Sequence, residues 1–224
     1  MTYFVSDLHG EYHLFCRLLE KIGFSQEDTM YICGDVLDKG DMPLALAKLI
    51  ISHPNMHCIL GNHELYFIKY YNRTVPKFVR DRELIISSIK RYFEEEETEL
   101  DWEIVEWIMS LPFYIEERDF ICVHAGIPTD GEERILSPYL YGEELVNDRR
   151  FKESTKGKNS EKCVFFGHTP TDNGEIIAYK RQGKAGRDIS ELYKVHLDTG
   201  TWQNGVLGCF CLENCKAIYV KKVC

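Results

Sequence analysis

Five short stretches of the sequence place histidine, aspartate or asparagine near glycine, and each follows an apolar run typical of a β-strand. They are Asp7-Leu8-His9, the segment 34–40, Gly61-Asn62-His63-Glu64, His124-Ala125-Gly126 and Gly167-His168. Mixed carboxylate, imidazole and carboxamide ligands suit manganese, iron or zinc better than calcium or magnesium, which prefer oxygen ligands alone. The spacing therefore predicts a metal site built from five strand ends.

The central stretch is Gly34-Asp35-Val36-Leu37-Asp38-Lys39-Gly40, which follows the apolar run 30–33. We interpret Asp35 as a carboxylate that bridges two metal ions. Two ions bridged in this way lie about 3.5 to 4 Å apart and hold the attacking and leaving oxygens of an in-line displacement at phosphorus. This stretch therefore predicts chemistry on a phosphate ester.

The first ion is predicted to be held by Asp7, His9 and Asp35. Residues i and i+2 of an extended chain point to the same side, so Asp7 and His9 can bind one ion. In open α/β sheets, reactive groups collect beyond the carboxyl ends of the strands. The position of each residue after a strand agrees with this rule.

The second ion is predicted to be held by Asp35 together with Asn62, His124 and His168. Adjacent residues of an extended chain face opposite ways. Asn62 can therefore turn toward the metal while His63 reaches over the substrate.

Strands and helices alternate in the first half of the chain. Strands are predicted over 2–6, 30–33 and 56–60, with a helix after Gly10 and another over 43–52. In the second half a hairpin over 113–123 precedes a loop-rich segment, 129–162. The remaining strands, over 163–166, 175–180, 192–197, 206–212 and 217–220, are predicted to end in an antiparallel meander. The pattern predicts an α/β fold of two packed β-sheets flanked by helices, in a single domain over 1–224.

Residues 65–111 break this alternation and are predicted to form a helical cap beside the site. The segment contains tyrosines at 66, 70 and 71, a basic stretch over 73–82, a glutamate run over 94–97 and a helix capped by Thr98 and Asp101. The tyrosines either stack on a nucleobase or lie in the core. The basic stretch either meets an anionic substrate or is a solvated helix face.

Composition narrows the class of protein. The 224 residues carry a net charge of −9, which argues against broad binding to nucleic acid or anionic membrane. No apolar stretch reaches the length of a membrane helix, and the strand before Asp7 leaves no room for a cleaved signal peptide. We expect a cytoplasmic protein.

The nine cysteines indicate no disulfide framework, because several lie inside apolar strands. Cys209, Cys211 and Cys215 could bind zinc in principle. Their spacing lacks the paired form of most structural zinc sites, which favours buried or edge-strand thiols.

The ordered set of five motifs resembles the calcineurin-like metallophosphoesterases. It is most similar to the phosphoprotein phosphatase branch of the bacterial and phage lambda phosphatase type, which includes symmetrical dinucleoside tetraphosphatases. The resemblance covers residues 7 to about 168. It implies a two-sheet sandwich, two divalent metal ions (manganese first, iron or zinc as alternatives), and direct attack on phosphorus by a hydroxide held between the metals.

The resemblance also implies roles for individual residues. His63 would protonate the leaving oxygen, Asp38 would orient that imidazole, and Asn62 would also touch the phosphate. Lys39 occupies a position where the family commonly carries arginine, and it would hold phosphate as a point charge. A second family arginine corresponds to Arg149 or Arg150.

The expected activity is metal-dependent hydrolysis of phosphomonoesters, with phosphoserine or phosphothreonine in proteins as the substrate. The alternative is hydrolysis of symmetrical dinucleoside tetraphosphates or other nucleotides at the same site. A third interpretation is a non-catalytic binding module. It is disfavoured because the sequence retains every proposed metal ligand and His63. Glu64 is expected to begin a helix and Asp198 to form a turn.

Overall fold

The computed structural model describes residues 1–75 and 102–222. The strands within these ranges are β1 (Thr2–Val5), β2 (Thr29–Ile32), β3 (Met56–Cys58), β4 (Tyr114–Glu116), β5 (Phe120–Val123), β6 (Cys163–Phe166), β7 (Ile177–Lys180), β8 (Leu192–His196), β9 (Val206–Cys211) and β10 (Lys216–Lys221). The helices are α1 (Tyr12–Ile22), α2 (Pro43–Ile51), α3 (Asn62–Thr74), α4 (Trp102–Ser110), α5 (Glu144–Asn147) and α6 (Thr201–Asn204), with 3-10 turns at Pro138–Leu140 and Ile189–Glu191.

The first sheet has the strand order β10-β9-β1-β2-β3. Its strands β1, β2 and β3 are parallel, and the register sets Val5 beside Ile32 and Ile32 beside Cys58. Because parallel strands in this register end side by side, the segments that follow them leave the sheet at one edge. Asp7 and Asp35 lie in two of those segments.

The second sheet has the order β4-β5-β6-β8-β7. Here β5, β6 and β8 are parallel, with Cys122 beside Phe165 and Phe166 beside His196. The carboxyl ends of these three strands also share one edge. The segments that begin with His124 and Gly167 leave from it.

The two sheets pack face to face through aromatic side chains. Phe4 of β1 stacks on Phe165 of β6 with ring centroids 3.6 Å apart and planes 3° from parallel, and both are fully buried. Successive strand residues point to opposite faces, so Tyr3 and Val5 contact α1 and its Leu18 instead. Burying each phenylalanine contributes about 1.5 to 3 kcal/mol. The predicted sandwich of two sheets with outer helices is confirmed.

The predicted antiparallel pairing of the last four strands is confirmed for β7 with β8 and for β9 with β10, but the single continuous meander is wrong. β8 is antiparallel to β7 but parallel to β6, and β9 and β10 belong to the first sheet, where β9 pairs with β1. The reason lies in β9, which is buried on both faces: Cys209 packs toward α1, and Phe210 toward the second sheet. A strand buried on both faces needs a central position, and β1 supplies its second partner.

The predicted cap is described only at its ends. Phe67 of α3 packs with Ile104 and Ile108 of α4 and with Leu44 of α2. The basic stretch beyond Arg73, the glutamate run and the pair Thr98 and Asp101 lie outside the described residues, so the cap and the single-domain reading stay predictions. Within the described ranges, no helix combines the length and apolar character that crossing a bilayer requires.

Candidate active site

The strand ends of both sheets converge on one site. The backbone N–H of Asp7 donates to the Gly34 carbonyl at 3.1 Å, which ties the segment after β1 to the one after β2. The His168 N–H donates to Asp7 Oδ2 at 3.0 Å, and the Gly167 N–H donates to the His124 carbonyl at 2.7 Å. The Asp7 and His168 segments come from different sheets, so the site spans the sandwich.

Four of the six proposed metal ligands have left-handed backbone conformations. Their φ angles are 54° for Asp7, 45° for His9, 54° for Asp35 and 71° for His168. Only a few per cent of non-glycine residues adopt positive φ, and each such residue stores about 1 to 3 kcal/mol of strain. Strain concentrated on four residues at one edge is typical of a functional site held by its surroundings.

Gly34 allows the close approach of these segments. Its φ is +82°, and a Cβ at this position would lie 2.7 Å from the Gly61 backbone and 2.9 Å from His124 Nδ1. Real Cβ atoms essentially never come so close. The glycine before Asp35 therefore sets how closely the first and second sheets meet.

The first group of ligand atoms surrounds one oxygen of Asp35. His9 Nε2 lies 3.7 Å from Asp35 Oδ2 and 4.0 Å from Asp7 Oδ1. His63 Nε2 also lies 3.9 Å from Asp35 Oδ2. The ligand atoms of His9, Asp35 and His63 lie close enough together to hold one metal ion.

The second group surrounds the other oxygen of Asp35. His124 Nε2 lies 3.4 Å from Asp35 Oδ1 and 3.0 Å from Asn62 Oδ1. His168 Nδ1 lies 2.8 Å from the same Asn62 oxygen and 3.2 Å from His124 Nε2. Asp35 thus offers one oxygen to each group, which is the geometry of a bridging carboxylate.

The donor chemistry of both groups fits metal ions. His124 Nδ1 faces the Cys33 carbonyl at 2.8 Å and His9 Nδ1 faces the Leu37 carbonyl at 3.3 Å, so each Nδ1 carries the hydrogen. His124 Nε2 then presents its lone pair toward the Asp35 and Asn62 oxygens, whereas His9 Nε2 faces the Lys39 ammonium at 2.9 Å. Acceptors that converge as they do around His124 are stabilised by a cation between them, and carbonyl-fixed imidazoles are the usual arrangement around metals.

Burial sets the protonation of these groups. It lowers the pKa of His9 to about 4 and that of His168 to about 3, so both imidazoles are neutral near pH 7. Burial and the nearby charges of Asp7 and Glu64 raise the pKa of Asp35 well above its ordinary range. A cation bound beside Asp35 would favour its charged form.

His63 and Asp38 form a separate pair at the edge of the first group. His63 Nδ1 donates to Asp38 Oδ2 at 2.8 Å. Burial alone lowers the pKa of His63, but the bond to Asp38 and the charge of Asp35 outweigh burial and raise the pKa above its ordinary value. The pair can hold a proton at His63 Nε2 and release it into the site.

A cavity of about 130 Å³ opens beside these residues, and Lys39 and Arg149 supply its positive charge. Lys39 Nζ lies 2.9 Å from His9 Nε2. Arg150 lies elsewhere: its side chain is 81% exposed and its Nε pairs with Asp148 at 3.2 Å. Of the two predicted arginines, the structure brings only Arg149 to the cavity.

A model of the calcineurin-like phosphoesterase family matches residues 2–198, a range that includes every proposed metal ligand. The chain belongs to this family. The sandwich fold and the family resemblance of the motifs are thereby confirmed, and the chain is a metallophosphoesterase.

The curated relatives of this phosphoesterase include symmetrical bis(5'-nucleosyl)-tetraphosphatases. The one from Aggregatibacter actinomycetemcomitans is 36% identical over 133 residues, which cover 58% of this chain and 45% of the relative. The one from Pasteurella multocida (strain Pm70) is 33% identical over the same length and shares. The chain thus spans a little under half the length of these relatives.

Solved structures also resemble this phosphoesterase. A candidate diadenosine tetraphosphatase has a TM-score of 0.70 at 17% identity, covering 98% of this chain and 92% of that one. A serine/threonine phosphatase of Saccharomyces cerevisiae, similar to human phosphatase PP5, has a TM-score of 0.61 at 17% identity, covering 99% and 80%. At this identity the likeness shows the fold alone.

Glu64 was predicted only to begin a helix, but in the phosphoesterase site it also binds the backbone of the Asp35 segment. It is fully buried in the first turn of α3, and its carboxylate accepts four backbone N–H groups, each at 2.9 Å, from Asp35, Val36, Leu37 and Gly61. These bonds hold the Asp35 segment against α3. The capping-box spacing, glutamate three residues after Gly61, is the sequence signal for the Gly61 bond alone.

Asp198 is a second residue that the sequence prediction undervalued. It is buried, follows β8 at the shared edge, lines the cavity with Asp7 and accepts the Gly200 N–H at 2.8 Å. Burial and the charge of Asp7 raise the pKa of Asp198 well above its ordinary range. The signal was available, because Asp198 follows its strand as the proposed ligands follow theirs.

The cysteine cluster at the end of the chain agrees with the thiol interpretation. Cys209 and Cys211 are buried and Cys215 is half-buried, and all three are free thiols. Within residues 1–75 and 102–222, these sulfurs form no group of three ligand atoms close enough to hold a metal. Cys224 lies outside the described residues.

Proposed function

We propose that the chain hydrolyses dinucleoside polyphosphates, with a symmetrical dinucleoside tetraphosphate as substrate and two nucleoside diphosphates as products. The observation that carries the proposal is the 36% identity to a symmetrical bis(5'-nucleosyl)-tetraphosphatase. The candidate diadenosine tetraphosphatase among the solved structures agrees with it in fold. Hydrolysis of phosphoserine or phosphothreonine, the first expectation from the sequence, has fold likeness alone in its favour.

We assign metal binding to the two groups of ligand atoms that share Asp35. Asp7 and His9 would hold one divalent ion with Asp35. Asn62, His124 and His168 would hold the other with the second Asp35 oxygen. Bound divalent ions supply Lewis-acid polarisation of the phosphate and activation of water near neutral pH.

The remaining steps belong to Lys39 and Arg149, which line the cavity, and to His63 and Asp38. Lys39 and Arg149 bind the phosphate oxygens, and Arg149 can do so with two parallel hydrogen bonds. His63 donates the proton on Nε2 to the leaving oxygen, and Asp38 holds the imidazole in the tautomer and orientation that this needs. The leaving group in symmetrical cleavage is a nucleoside diphosphate.

The experiment compares two substrates with manganese-loaded protein. We expect kcat/KM for diadenosine tetraphosphate to exceed that for a phosphoserine peptide at least tenfold, with ADP as the only nucleotide product by anion-exchange chromatography. Asp35→Asn should abolish turnover, whereas Asp119→Asn, whose side chain is 65% exposed, should not. Preference for the peptide, or AMP and ATP as products, would reject the proposal.

A further inference from the structure

Two large aromatic side chains are half exposed beside the site. Trp202 exposes 47% of its surface and Tyr66 exposes 48%. Large aromatic rings are usually covered in folded proteins, and they are enriched where they meet a ligand. Their positions relative to His63 and Lys39 indicate what that ligand is.

Trp202 lines the cavity on the Lys39 side. Its indole Nε1 donates to the Lys39 carbonyl at 3.0 Å, and Lys39 Nζ lies 5.8 Å from the ring centroid. The short helix α6 that carries it is fixed, because Asn204 Nδ2 donates to the Thr199 carbonyl at 3.0 Å. The ring is therefore held in place although half of its surface is exposed.

Tyr66 lies beside His63. It is one turn after His63 on α3, and the two ring centroids are 5.7 Å apart. The ring of His63 is in turn 4.9 Å from that of His9, whose Nε2 lies 2.9 Å from Lys39 Nζ. A continuous row of contacts thus runs from Tyr66 through His63, His9 and Lys39 to Trp202.

This row matches the layout of a dinucleoside polyphosphate, in which a chain of phosphates separates two bases. We propose that Trp202 and Tyr66 are the two base-stacking surfaces of the site, one for each nucleoside. Tyr66 adjoins the proton donor and takes the base of the leaving nucleotide, and Trp202 takes the base on the attacked side. The inference rests on the proposed function. Stacking on an aromatic ring accepts any base, so these surfaces select for a nucleoside without selecting its identity.

The kinetic test uses diadenosine tetraphosphate and para-nitrophenyl phosphate, which has no base. For Trp202→Ala and Tyr66→Ala, the ratio of the two kcat/KM values should fall about tenfold, mainly through KM for the nucleotide. Trp202→Phe and Tyr66→Phe, which keep a ring, should stay within threefold of wild type. Tyr139→Ala removes an aromatic side chain that is 81% exposed and should leave the ratio unchanged.

Trp202→Phe also separates stacking from an indirect effect, because it loses the indole bond to the Lys39 carbonyl just as Trp202→Ala does. Equal losses in the two Trp202 variants would assign the effect to Lys39 and overturn the inference. A ratio unchanged in both alanine variants would overturn it too.

A binding measurement tests the Trp202 surface without turnover. ADP should quench the tryptophan fluorescence of the wild-type protein, whereas inorganic pyrophosphate should not. The quench should vanish in Trp202→Phe, which retains Trp102 and Trp107. If the protein hydrolyses para-nitrophenyl phosphate but not diadenosine tetraphosphate, the proposed function fails. The ADP titration then tests the stacking inference by itself, and the absence of a quench would reject it.

Discussion

His63 Nδ1 donates to Asp38 Oδ2 across 2.8 Å, and this bond leaves His63 Nε2 facing the site, 3.9 Å from Asp35 Oδ2. Because Nδ1 keeps its hydrogen in the bond to Asp38, His63 carries a proton at Nε2 only as the imidazolium, and, against the opposing effect of burial, Asp38 and Asp35 raise the pKa of His63 in favour of that form. Such a proton matters most when the leaving oxygen is a poor leaving group. The hydrogen bond between His63 and Asp38 therefore predicts that the effect of losing His63 on kcat depends on the leaving group.

Replacing His63 by asparagine should lower kcat on phenyl phosphate by about 10² to 10⁴, the usual contribution of a positioned general acid. The loss on para-nitrophenyl phosphate, whose leaving group is far better stabilised without a proton, should be at least tenfold smaller. Steady-state rates on both esters measure the difference. Asp38→Asn should also lower kcat more on phenyl phosphate than on para-nitrophenyl phosphate, but by smaller factors. If His63→Asn lowered kcat equally on both esters, the result would contradict the role of His63 as general acid.

Arg149 and Arg150 offer a matched pair for substrate binding. Arg149→Ala should raise KM for a phosphate ester about 10- to 100-fold, because a hydrogen bond to a charged group contributes about 1.5 to 3 kcal/mol. Arg150→Ala removes a guanidinium that pairs with Asp148 away from the cavity and should change KM less than twofold. Initial-rate measurements distinguish the two, and the opposite ranking would show that the second arginine contacts the phosphate.

Glu64→Gln should destabilise the protein by about 2 to 4 kcal/mol. Each Glu64 oxygen accepts two backbone N–H groups, so the amide nitrogen of glutamine would face two donors and leave them unpaired in a buried place. Urea unfolding gives the free energy. Glu144→Gln, whose carboxylate accepts the exposed Gly142 N–H, is the control and should stay within about 0.5 kcal/mol of wild type.

The Glu64 contacts also show where sequence reasoning ends. The metal ligands could be predicted from the sequence because each follows a strand and carries a side chain with recognisable chemistry. Three of the four bonds to Glu64, from the N–H groups of residues 35–37, depend on how closely the Asp35 segment approaches α3, and that distance follows from the packing of Gly34 against Gly61. No local pattern reports a contact between a side chain and a backbone 27 to 29 residues away.

The sequence also did not predict which distant strands pair with each other. The pattern of residues predicted β8 and β9 as strands, but β8 pairs with β6 and β9 with β1, at long sequence separation. Local propensity carries no information on which distant strand is the partner. Burial of β9 on both faces decides its place, and this becomes visible only when both layers that cover it are known.

Removing and restoring metal should change thermal stability through Asp35. Manganese at about 100 times its Kd should stabilise the chelated protein by about 2.7 kcal/mol, because it binds only the folded state. For a chain of this size that is a rise in Tm of about 5 °C or more. Asp35→Asn should lose most of the rise, and Asp119→Asn should keep it. Calorimetry with and without manganese measures both, and an undiminished rise in Asp35→Asn would remove Asp35 from the metal site.

Lys194 gives the protein a stability that depends on pH. It is fully buried in β8, its ammonium donates to the Phe151 carbonyl at 2.6 Å and to the Glu153 carbonyl, and the ring centroid of Tyr179 lies 4.6 Å away. Burial lowers the pKa of Lys194 from 10.5 to about 7, although the charges of Glu153 and Glu133 oppose the shift and that of Lys156 assists it.

Between pH 7 and 10.5 the unfolded chain therefore holds a proton on Lys194 that the folded chain has released, so stability rises with pH across this window and is lost as pH falls through about 7. One pKa unit corresponds to about 1.4 kcal/mol, so the free energy of unfolding of wild type relative to Lys194→Met should rise by about 2 kcal/mol from pH 7 to pH 9. Urea unfolding at both pH values measures the change, and Lys180→Met, at an exposed position of β7, should keep the wild-type slope. A difference that stays constant over this range would mean that the two carbonyls and the surrounding rings hold the ammonium charged.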